Sequence, residues 1–235
     1  MCEGTTYSNE QIHEMIDYII DNSVFKVGDK VMRQKNGIPI GTDPAPYFAN
    51  LYLFFYESKW IRKMMKIEFG TLRKFYNYVN RFIDDLITIN NNGHMEIHWK
   101  DIYPAELQLN KENDMPIEAT FLDLRLEIVD REVITSVYDK RDNFPFEIIC
   151  YPDLSGNISC KTGYACYIGQ FIRITRNSRR LEDAVDRIQD MIKKMLTKQY
   201  TVNNLKHTTK KCLNNHRWIC EKYDVQADKI IQSIF

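Results

Sequence analysis

The sequence predicts an α+β protein in which a mixed part of strands and helices is followed by a helical, basic part. Between residues 76 and 137, short apolar runs alternate with polar turns, which is typical of strands. After Tyr164, apolar residues recur at helical spacing nearly to the end of the chain. We therefore expect two domains, 1–145 with the strands and 146–235 with the helices.

The composition is that of a folded protein without a marked overall charge. Hydrophobic residues make up 44% of the 235 residues and charged residues 27%, which excludes a disordered chain. The 32 basic and 32 acidic residues cancel, so net charge gives no argument for a nucleic-acid or membrane partner. No apolar run reaches the ~20 residues that span a bilayer, and the N-terminus lacks the pattern of a secretory signal. Because the six cysteines form no CxxC pairs either, we expect an intracellular location, nuclear or cytoplasmic.

In chain order, the first elements predicted are a helix and a hairpin. Residues 9–21 have apolar side chains at helical spacing, and Ser8 before them is a suitable N-cap. Residues 25–34 alternate around Gly28 and Asp29, which predicts a short hairpin with a tight turn.

A loop and a long helix come next. Residues 36–46 are punctuated by glycines and prolines, which predicts a turn-rich loop. Residues 46–66 then have the apolar spacing of a long helix, and we expect Glu57 and Lys59 on its solvated face.

The strand-rich region follows this helix. Residues 77–83 and 86–89 are two β-rich runs that meet at Asp84 and Asp85, and a short helix is predicted over 96–103.

Further along, residues 120–129 and 133–137 are predicted as two strands joined by a polar turn. The remaining chain after Tyr164 is predicted to be helical, and the stripe of Tyr164, Tyr167 and Phe171 is expected to lie in its core.

Asp84 and Asp85 are the first candidates for a metal site. Two adjacent carboxylates at a strand turn repel each other unless a cation is present. Mg²⁺ is commonly held by a few aspartates with open coordination positions for water and substrate phosphates. Solvated turns often contain Asp-Asp as well, so the pair alone leaves both interpretations open.

The glycine-rich loop before the long helix is the second candidate. Gly37 and Gly41 lie four residues apart, and glycine lets the backbone approach a ligand closely. The helix N-terminus that follows is suited to an anion. An ordinary glycine- and proline-rich loop would give the same pattern.

The order of these features resembles the palm of a reverse transcriptase, and most closely that of Penelope-like retroelements. The loop around Gly37 to Thr42 is similar to the motif that positions template and nucleotide. The aromatic-x-Asp-Asp metal motif of the family is matched by Arg81-Phe82-Ile83-Asp84-Asp85, with Phe82 where tyrosine is commoner. The strand that follows in the family is similar to Phe121-Leu122-Asp123. The resemblance covers about residues 20–180.

This resemblance implies a fold and an activity. The fold would be a partial palm, an antiparallel sheet with packed helices, followed by a helical thumb-like region. The activity would be that of an RNA-directed DNA polymerase, which transfers a dNTP to a primer 3′-hydroxyl with two Mg²⁺ or Mn²⁺ ions. The implied partners are an RNA template, a DNA primer and the dNTP, without a membrane.

The resemblance also implies roles for particular residues. Asp84 and Asp85 would be the catalytic metal ligands. Template and nucleotide would be contacted by Gln34, Gly37, Ile38, Pro39, Gly41, Asn50 and Phe82.

One part of the family's site has no counterpart. These polymerases use a third aspartate on a strand upstream of the glycine-rich loop, whereas Asp17 and Asp21 fall in a predicted helix and Asp29 in a turn. We expect that the chain begins after this motif and that a missing N-terminal segment or a second chain completes the site. Polymerase activity of the chain alone is then expected to be low or absent, which leaves open whether it acts as an enzyme by itself.

Basic residues are concentrated towards the C-terminus. No acidic residue occurs between Asp153 and Glu182, and Met191 to Lys222 contains eight basic residues and one acid. This asymmetry fits contact with a polyanion, although solvated helix faces give the same pattern. The resemblance implies that the nucleic-acid backbone is held by Arg173, Arg176, Lys193 and Lys194.

Two other classes of protein remain possible. The chain could be a non-catalytic nucleic-acid-binding relic or domesticated module that uses only its basic helices. It could also be an unrelated α+β protein, and a large distance between the Gly37–Gly41 loop and Asp84 would favour that class.

Overall fold

The computed structural model describes residues 6–39, 41–67, 70, 78–90, 93–113, 115–146 and 148–235. Within these ranges the protein is α+β, as the sequence predicts. The eight α-helices there are α1 (Asn9–Asp21), α2 (Ala45–Ile67), α3 (His94–Ile102), α4 (Cys160–Asn177), α5 (Leu181–Leu196), α6 (Val202–Asn215), α7 (Trp218–Tyr223) and α8 (Ala227–Ile234). The strands are β1 (Val24–Val27), β2 (Lys30–Arg33), β3 (Val79–Phe82), β4 (Asp85–Thr88), β5 (Glu118–Phe121), β6 (Leu124–Val129) and β7 (Glu132–Val137). They form three antiparallel sheets, β1–β2, β3–β4 and β5–β6–β7.

The chain divides into two compact units, Met1–Leu109 (unit 1) and Asn110–Phe235 (unit 2). The three-stranded sheet belongs to the helical unit because β7 bonds to the end of α4. Thr135 Oγ1 donates to the Asn177 carbonyl oxygen at 2.7 Å, and the Arg179 amide donates to the Thr135 carbonyl oxygen at 2.8 Å. The boundary between the two compact units, after Leu109, thus lies well before residue 145. The palm-to-thumb boundary expected between residues 145 and 146 stays a prediction.

The first two elements of unit 1 form as predicted. Ser8 caps α1 through a reciprocal capping box: its Oγ accepts from the Gln11 amide, and Gln11 Oε1 accepts from the Ser8 amide. Strands β1 and β2 are joined by Gly28 and Asp29, and Gly28 supplies the positive φ of 60° that the two-residue turn requires.

A small core in unit 1 holds the β3–β4 hairpin against α2 and α3. Trp60, Met95 and Ile102 are buried in it, and Val79 and Leu86 of the hairpin pack on them. Because side chains alternate across a strand, the same hairpin face also carries Arg81, the register partner of Leu86. The opposite face is left for Phe82 and Asp85.

The sheet of unit 2 differs from the prediction at one turn. Residues 120–129 are predicted as one strand, but the chain reverses at Leu122 and Asp123, with Leu122 in the left-handed region at φ 57°. The residues there include no glycine, asparagine or proline, so the usual signal of a two-residue turn is missing. Asp123 Oδ2 then accepts from Arg173 Nε on α4 at 2.8 Å, which ties the turn to the helices.

The larger core lies among the helices of unit 2. Tyr167 and Phe171 of α4 are fully buried there, which confirms the core stripe predicted from their spacing. Lys222 of α7 closes the C-terminal end of α4, because its Nζ donates to the carbonyl oxygens of Thr175, Arg176 and Ser178 at 2.6–2.9 Å. None of the helices in the described ranges is long and apolar enough to cross a membrane.

Candidate functional site

Asp84 and Asp85 lie at the tip of the β3–β4 hairpin, where the predicted strands meet. The last register pair is Phe82 with Asp85, so Ile83 and Asp84 alone form the turn. Ile83 has a φ of 54°, a left-handed conformation that a β-branched residue adopts at a cost of about 1–3 kcal/mol. Strain of this kind is concentrated at functional sites, and here it places two carboxylates side by side at a hairpin tip.

Both carboxylates are available to a ligand. The Asp84 side chain is exposed and Asp85 is half-buried. Among the described residues, no hydrogen bond or ion pair reaches either carboxylate from another side chain. Two adjacent carboxylates with free oxygens form a donor set that is suited to a divalent cation.

Arg81 fastens this hairpin to α2. Its guanidinium donates from Nε and Nη2 to the two carboxylate oxygens of Glu57 at 2.6 and 3.1 Å, which makes a bidentate ion pair. Its Nη1 donates to Asn50 Oδ1 at 2.8 Å and to the Ile83 carbonyl oxygen at 3.0 Å. A single side chain therefore joins the strained turn to two residues of α2, Asn50 and Glu57, which lie about two helical turns apart. We call Arg81, Glu57 and Asn50 the hairpin latch.

Tyr103 completes the surroundings of Glu57. Its hydroxyl donates to Glu57 Oε1 at 2.9 Å from the end of α3. Burial, and then the nearby Glu57 carboxylate, raise the pKa of Tyr103, so it stays a neutral donor. The hydrogen bond to Glu57 raises the pKa of Arg81, and with side chains only 16% and 23% exposed the pair is largely shielded from water. Glu57 was expected on a solvated face; this expectation was wrong, because the approach of the hairpin covers it.

The predicted loop residues lie at the entrance to α2. Gly37 and Gly41 have φ values of 89° and 93°, which only glycine adopts readily. Pro39 is buried, and its carbonyl oxygen accepts from Thr42 Oγ1 at 3.0 Å; Ile38 is half-buried. Gln34 Nε2 donates to the Asn36 carbonyl oxygen at 3.0 Å, so this side chain braces the loop. Ile40 lies outside the described residues.

Asn50 connects the hairpin to the first turns of α2. This residue lies five positions into α2, which is about 7.5 Å along the helix axis from its first residue. Arg81 Nη1 bonds both Asn50 and the turn carbonyl of Ile83, so the hairpin tip lies near the end of α2 that the loop enters.

A third metal ligand is not found in the part of the chain that the structure describes. There, no group of three or more His, Cys, Asp or Glu side chains could hold an ion together. Asp17 and Asp21 lie on α1 and Asp29 in the β1–β2 turn, as predicted, and Asp21 forms an ion pair with Arg33 at 2.9 Å.

The four basic residues that are predicted to hold a nucleic-acid backbone have partners within unit 2. Arg173 is paired with Asp123, and Arg176 lies over the Trp218 ring with its guanidinium carbon 5.9 Å from the centroid. Lys193 forms a pair with Asp190 at 3.0 Å and Lys194 with Asp142 at 3.6 Å. Their role in binding stays a prediction, but their charges are partly compensated within the fold.

The sequence interpretation missed the hairpin latch. Arg81 is part of the matched metal motif, yet Glu57 lies 24 residues earlier and no local pattern connects the two. The available signal was an acidic residue near the middle of a long helix that otherwise presents large apolar and basic side chains.

No family model, curated protein or solved structure matches this chain. By its fold and its candidate site, the chain is an α+β protein with an Asp-Asp pair at the tip of a hairpin. An arginine fastens this hairpin to the helix that follows a glycine-rich loop.

Proposed function

We propose that unit 1 carries the metal-binding part of a nucleotidyl-transfer site of the reverse-transcriptase type, an RNA-directed DNA polymerase. Asp84 and Asp85 would bind Mg²⁺ or Mn²⁺ beside a primer 3′-hydroxyl and a dNTP. The observation that carries the proposal is the pair of unpartnered carboxylates on a strained hairpin tip, held by Arg81.

The donor set fits such an ion. Mg²⁺ is usually bound in proteins through one or two carboxylates, and water and substrate phosphates complete its octahedral shell. Asp84 and Asp85 supply two carboxylates with free lone pairs and leave the remaining positions open. When bound, the ion would stabilise negative charge on the phosphate being transferred.

The residues around the pair have separate tasks in this proposal. Register partners of an antiparallel pair point to the same face, so Phe82 presents its half-exposed ring beside Asp85, where a base or sugar could pack on it. Gly37 and Gly41 leave the backbone accessible to nucleotide or template. The guanidinium of Arg81 is fully engaged, and we assign it to positioning the turn.

The experiment is a Mn²⁺ titration of the full chain, followed by electron paramagnetic resonance, with and without a primer–template duplex. The test variant is Asp84→Asn with Asp85→Asn. The matched control is Asp29→Asn, which changes an aspartate in the two-residue turn between β1 and β2. We expect saturable Mn²⁺ binding that the duplex and a dNTP strengthen, that the test variant loses and that the control keeps.

The same titration separates the proposal from its alternative, a non-catalytic nucleic-acid-binding module. If the duplex binds equally well with chelator present and in the Asp84→Asn/Asp85→Asn variant, while Mn²⁺ binding is unchanged by the substitutions, the hairpin is not a metal site. The alternative then stands.

A further inference from the structure

Helix α6 has a basic outer face that the fold does not neutralise. Leu205, Thr209, Cys212 and Leu213 are its buried residues and follow the spacing of one helix side. The other side exposes lysine, histidine and amide side chains, among them Asn203, Lys206, His207, Lys210, Lys211 and Asn214. We call Lys206, Lys210 and Lys211 the α6 basic face.

These lysines differ from the lysines of α5 in their partners. In the described parts of the chain, no ion pair or side-chain hydrogen bond engages Lys206, Lys210 or Lys211. The sequence shows why: residues 191–220 contain no aspartate or glutamate, so α6 and its flanking segments offer no local counter-charge. On α5, in contrast, Asp190 lies one turn before Lys193 and pairs with it.

We infer that the α6 basic face holds the phosphate backbone of a nucleic-acid duplex. The inference rests on the proposed function for the choice of ligand. It assigns the main contact with the phosphate backbone to α6 rather than to the basic residues of α4 and α5, whose charges have partners within the fold. Residues 206 and 211 are about 7.5 Å apart along the helix axis, so the three positive charges have a mean spacing of ~3.8 Å. One strand of duplex DNA carries a negative charge every ~3.4 Å, so the two charge spacings are similar and the signs are opposite.

The flanking amides fit the same ligand. Asn203 and Asn214 lie one turn before and one turn after the lysines on the exposed side. Amide groups can donate to phosphate oxygens without reading base sequence, as is usual for backbone contacts. The predicted binding is therefore indifferent to sequence and sensitive to salt.

Two adjacent Lys-Lys pairs in unit 2 provide a matched comparison. Lys210→Gln/Lys211→Gln removes two unpaired charges from α6, and Lys193→Gln/Lys194→Gln removes two paired charges from α5. Binding of a fluorescent primer–template duplex to the full chain is measured by anisotropy, in chelator, over about 50 to 200 mM salt. Circular dichroism checks that both variants are folded.

We expect the α6 variant to bind roughly tenfold more weakly at low salt. Its plot of log affinity against log salt should be shallower by about 1.8, because each lost phosphate contact removes about 0.9. The α5 variant should lose less affinity than the α6 variant, because Asp190 and Asp142 already compensate part of its charge. Adding Lys206→Gln to the α6 variant should lower the slope further.

Three outcomes would overturn the inference. Equal losses in both variants would indicate a general charge effect, and a larger loss in the α5 variant would restore the contact predicted from sequence. Binding to anionic lipid vesicles but not to duplex would assign the face to another ligand. Because chelator is present, none of these results depends on Asp84 and Asp85, so failure here is distinct from failure of the metal site.

Discussion

At the residue scale, Asp139 shows how one carboxylate can join two elements of unit 2. It accepts from Arg141 Nε and Nη2 at 2.8 and 2.6 Å, and from Arg187 Nη2 of α5 at 2.8 Å. Arg187 also donates to Asp142, so the short 3₁₀ helix Lys140–Asn143 after β7 is tied to α5. The hydrogen bonds from Arg141 lower the pKa of Asp139 well below its usual range, against the opposing effect of burial.

This lowered pKa predicts how stability depends on pH. A carboxyl group with a lower pKa in the folded state contributes its full stabilisation above the unfolded pKa of about 3.9, and loses it as the pH falls towards the folded value. We expect Asp139→Asn to lower the free energy of unfolding by about 2 kcal/mol at pH 7 and to flatten its decline below pH ~4.

Urea unfolding at neutral and acidic pH measures this effect. Asp190→Asn is the control, because Asp190 pairs with Lys193 on the surface, where such pairs contribute less than about 1 kcal/mol. If the free energy of unfolding of Asp139→Asn fell with pH as steeply as that of the wild type, Asp139 would not be the source of this pH dependence.

At the element scale, the hairpin latch decides where the β3–β4 hairpin lies on α2. Lysine keeps the charge of Arg81 but cannot form the planar, two-pronged pair with Glu57 while also reaching Asn50 and the Ile83 carbonyl. We expect Arg81→Lys to weaken Mn²⁺ binding at the intact carboxylates by about tenfold, together with a loss of about 1–2 kcal/mol in the stability of unit 1. The same metal titration, with Arg62→Lys on the exposed side of α2 as control, tests this.

A purely structural role for Arg81 would give a different result. Stability would fall, but Mn²⁺ would bind the remaining folded protein with unchanged affinity. That outcome would remove Arg81 from the set of positioning residues.

Two glycines of α4 have opposite surroundings. A Cβ at Gly163 would lie 2.5 Å from Leu154 Cδ2 and 2.7 Å from the hydroxyl of Tyr200, whose ring is buried. A Cβ at Gly169 would meet nothing within 4 Å. Alanine favours a helix over glycine by about 1 kcal/mol, whereas overpacking costs about 1–3 kcal/mol.

We therefore expect substitutions of opposite effect in the same helix. Gly169→Ala should raise the free energy of unfolding by up to ~1 kcal/mol, and Gly163→Ala should lower it by about 1 kcal/mol after its gain in helix propensity. Thermal or urea unfolding of the two single variants measures the difference. If both variants gained stability, the segment around Leu154 would have to be free to move away from α4.

At the scale of the whole molecule, the two units differ in how much apolar surface they bury. Among the residues that the structure describes, the core cluster of unit 2 contains 17 buried residues, and the cluster that holds the β3–β4 hairpin contains three. Local opening requires less free energy where few apolar contacts must be broken. We expect amide hydrogens of α4, α5 and α6 to exchange near the rate of global unfolding, and those of β1, β2 and β3 to exchange much faster.

Hydrogen exchange followed by mass spectrometry resolves the two units. Adding Mn²⁺ and a primer–template duplex should slow exchange at the β3–β4 hairpin, because a ligand that binds the folded site stabilises it. Uniform protection across both units would contradict the expected difference in stability.

Several elements of this protein depend only on residues close together in the chain, and these elements can be predicted from the sequence. The span of α1 depends on apolar spacing and the Ser8 cap, and the β1–β2 turn depends on Gly28. The β3–β4 hairpin around Asp84 and Asp85 likewise follows from two short β-rich runs that meet at polar residues. Helical and strand periodicity and turn geometry involve residues only a few positions apart, so neighbouring residues are sufficient to predict them.

The tertiary structure alone decided which charges pair between elements that are distant in sequence. Arg81 meets Glu57 across 24 positions, and Arg173 meets Asp123 across 50. Lys194 of α5 likewise meets Asp142, which lies in the 3₁₀ helix after β7. An ion pair forms where packing brings two side chains within about 4 Å, and that distance is set by the assembled elements rather than by spacing along the chain.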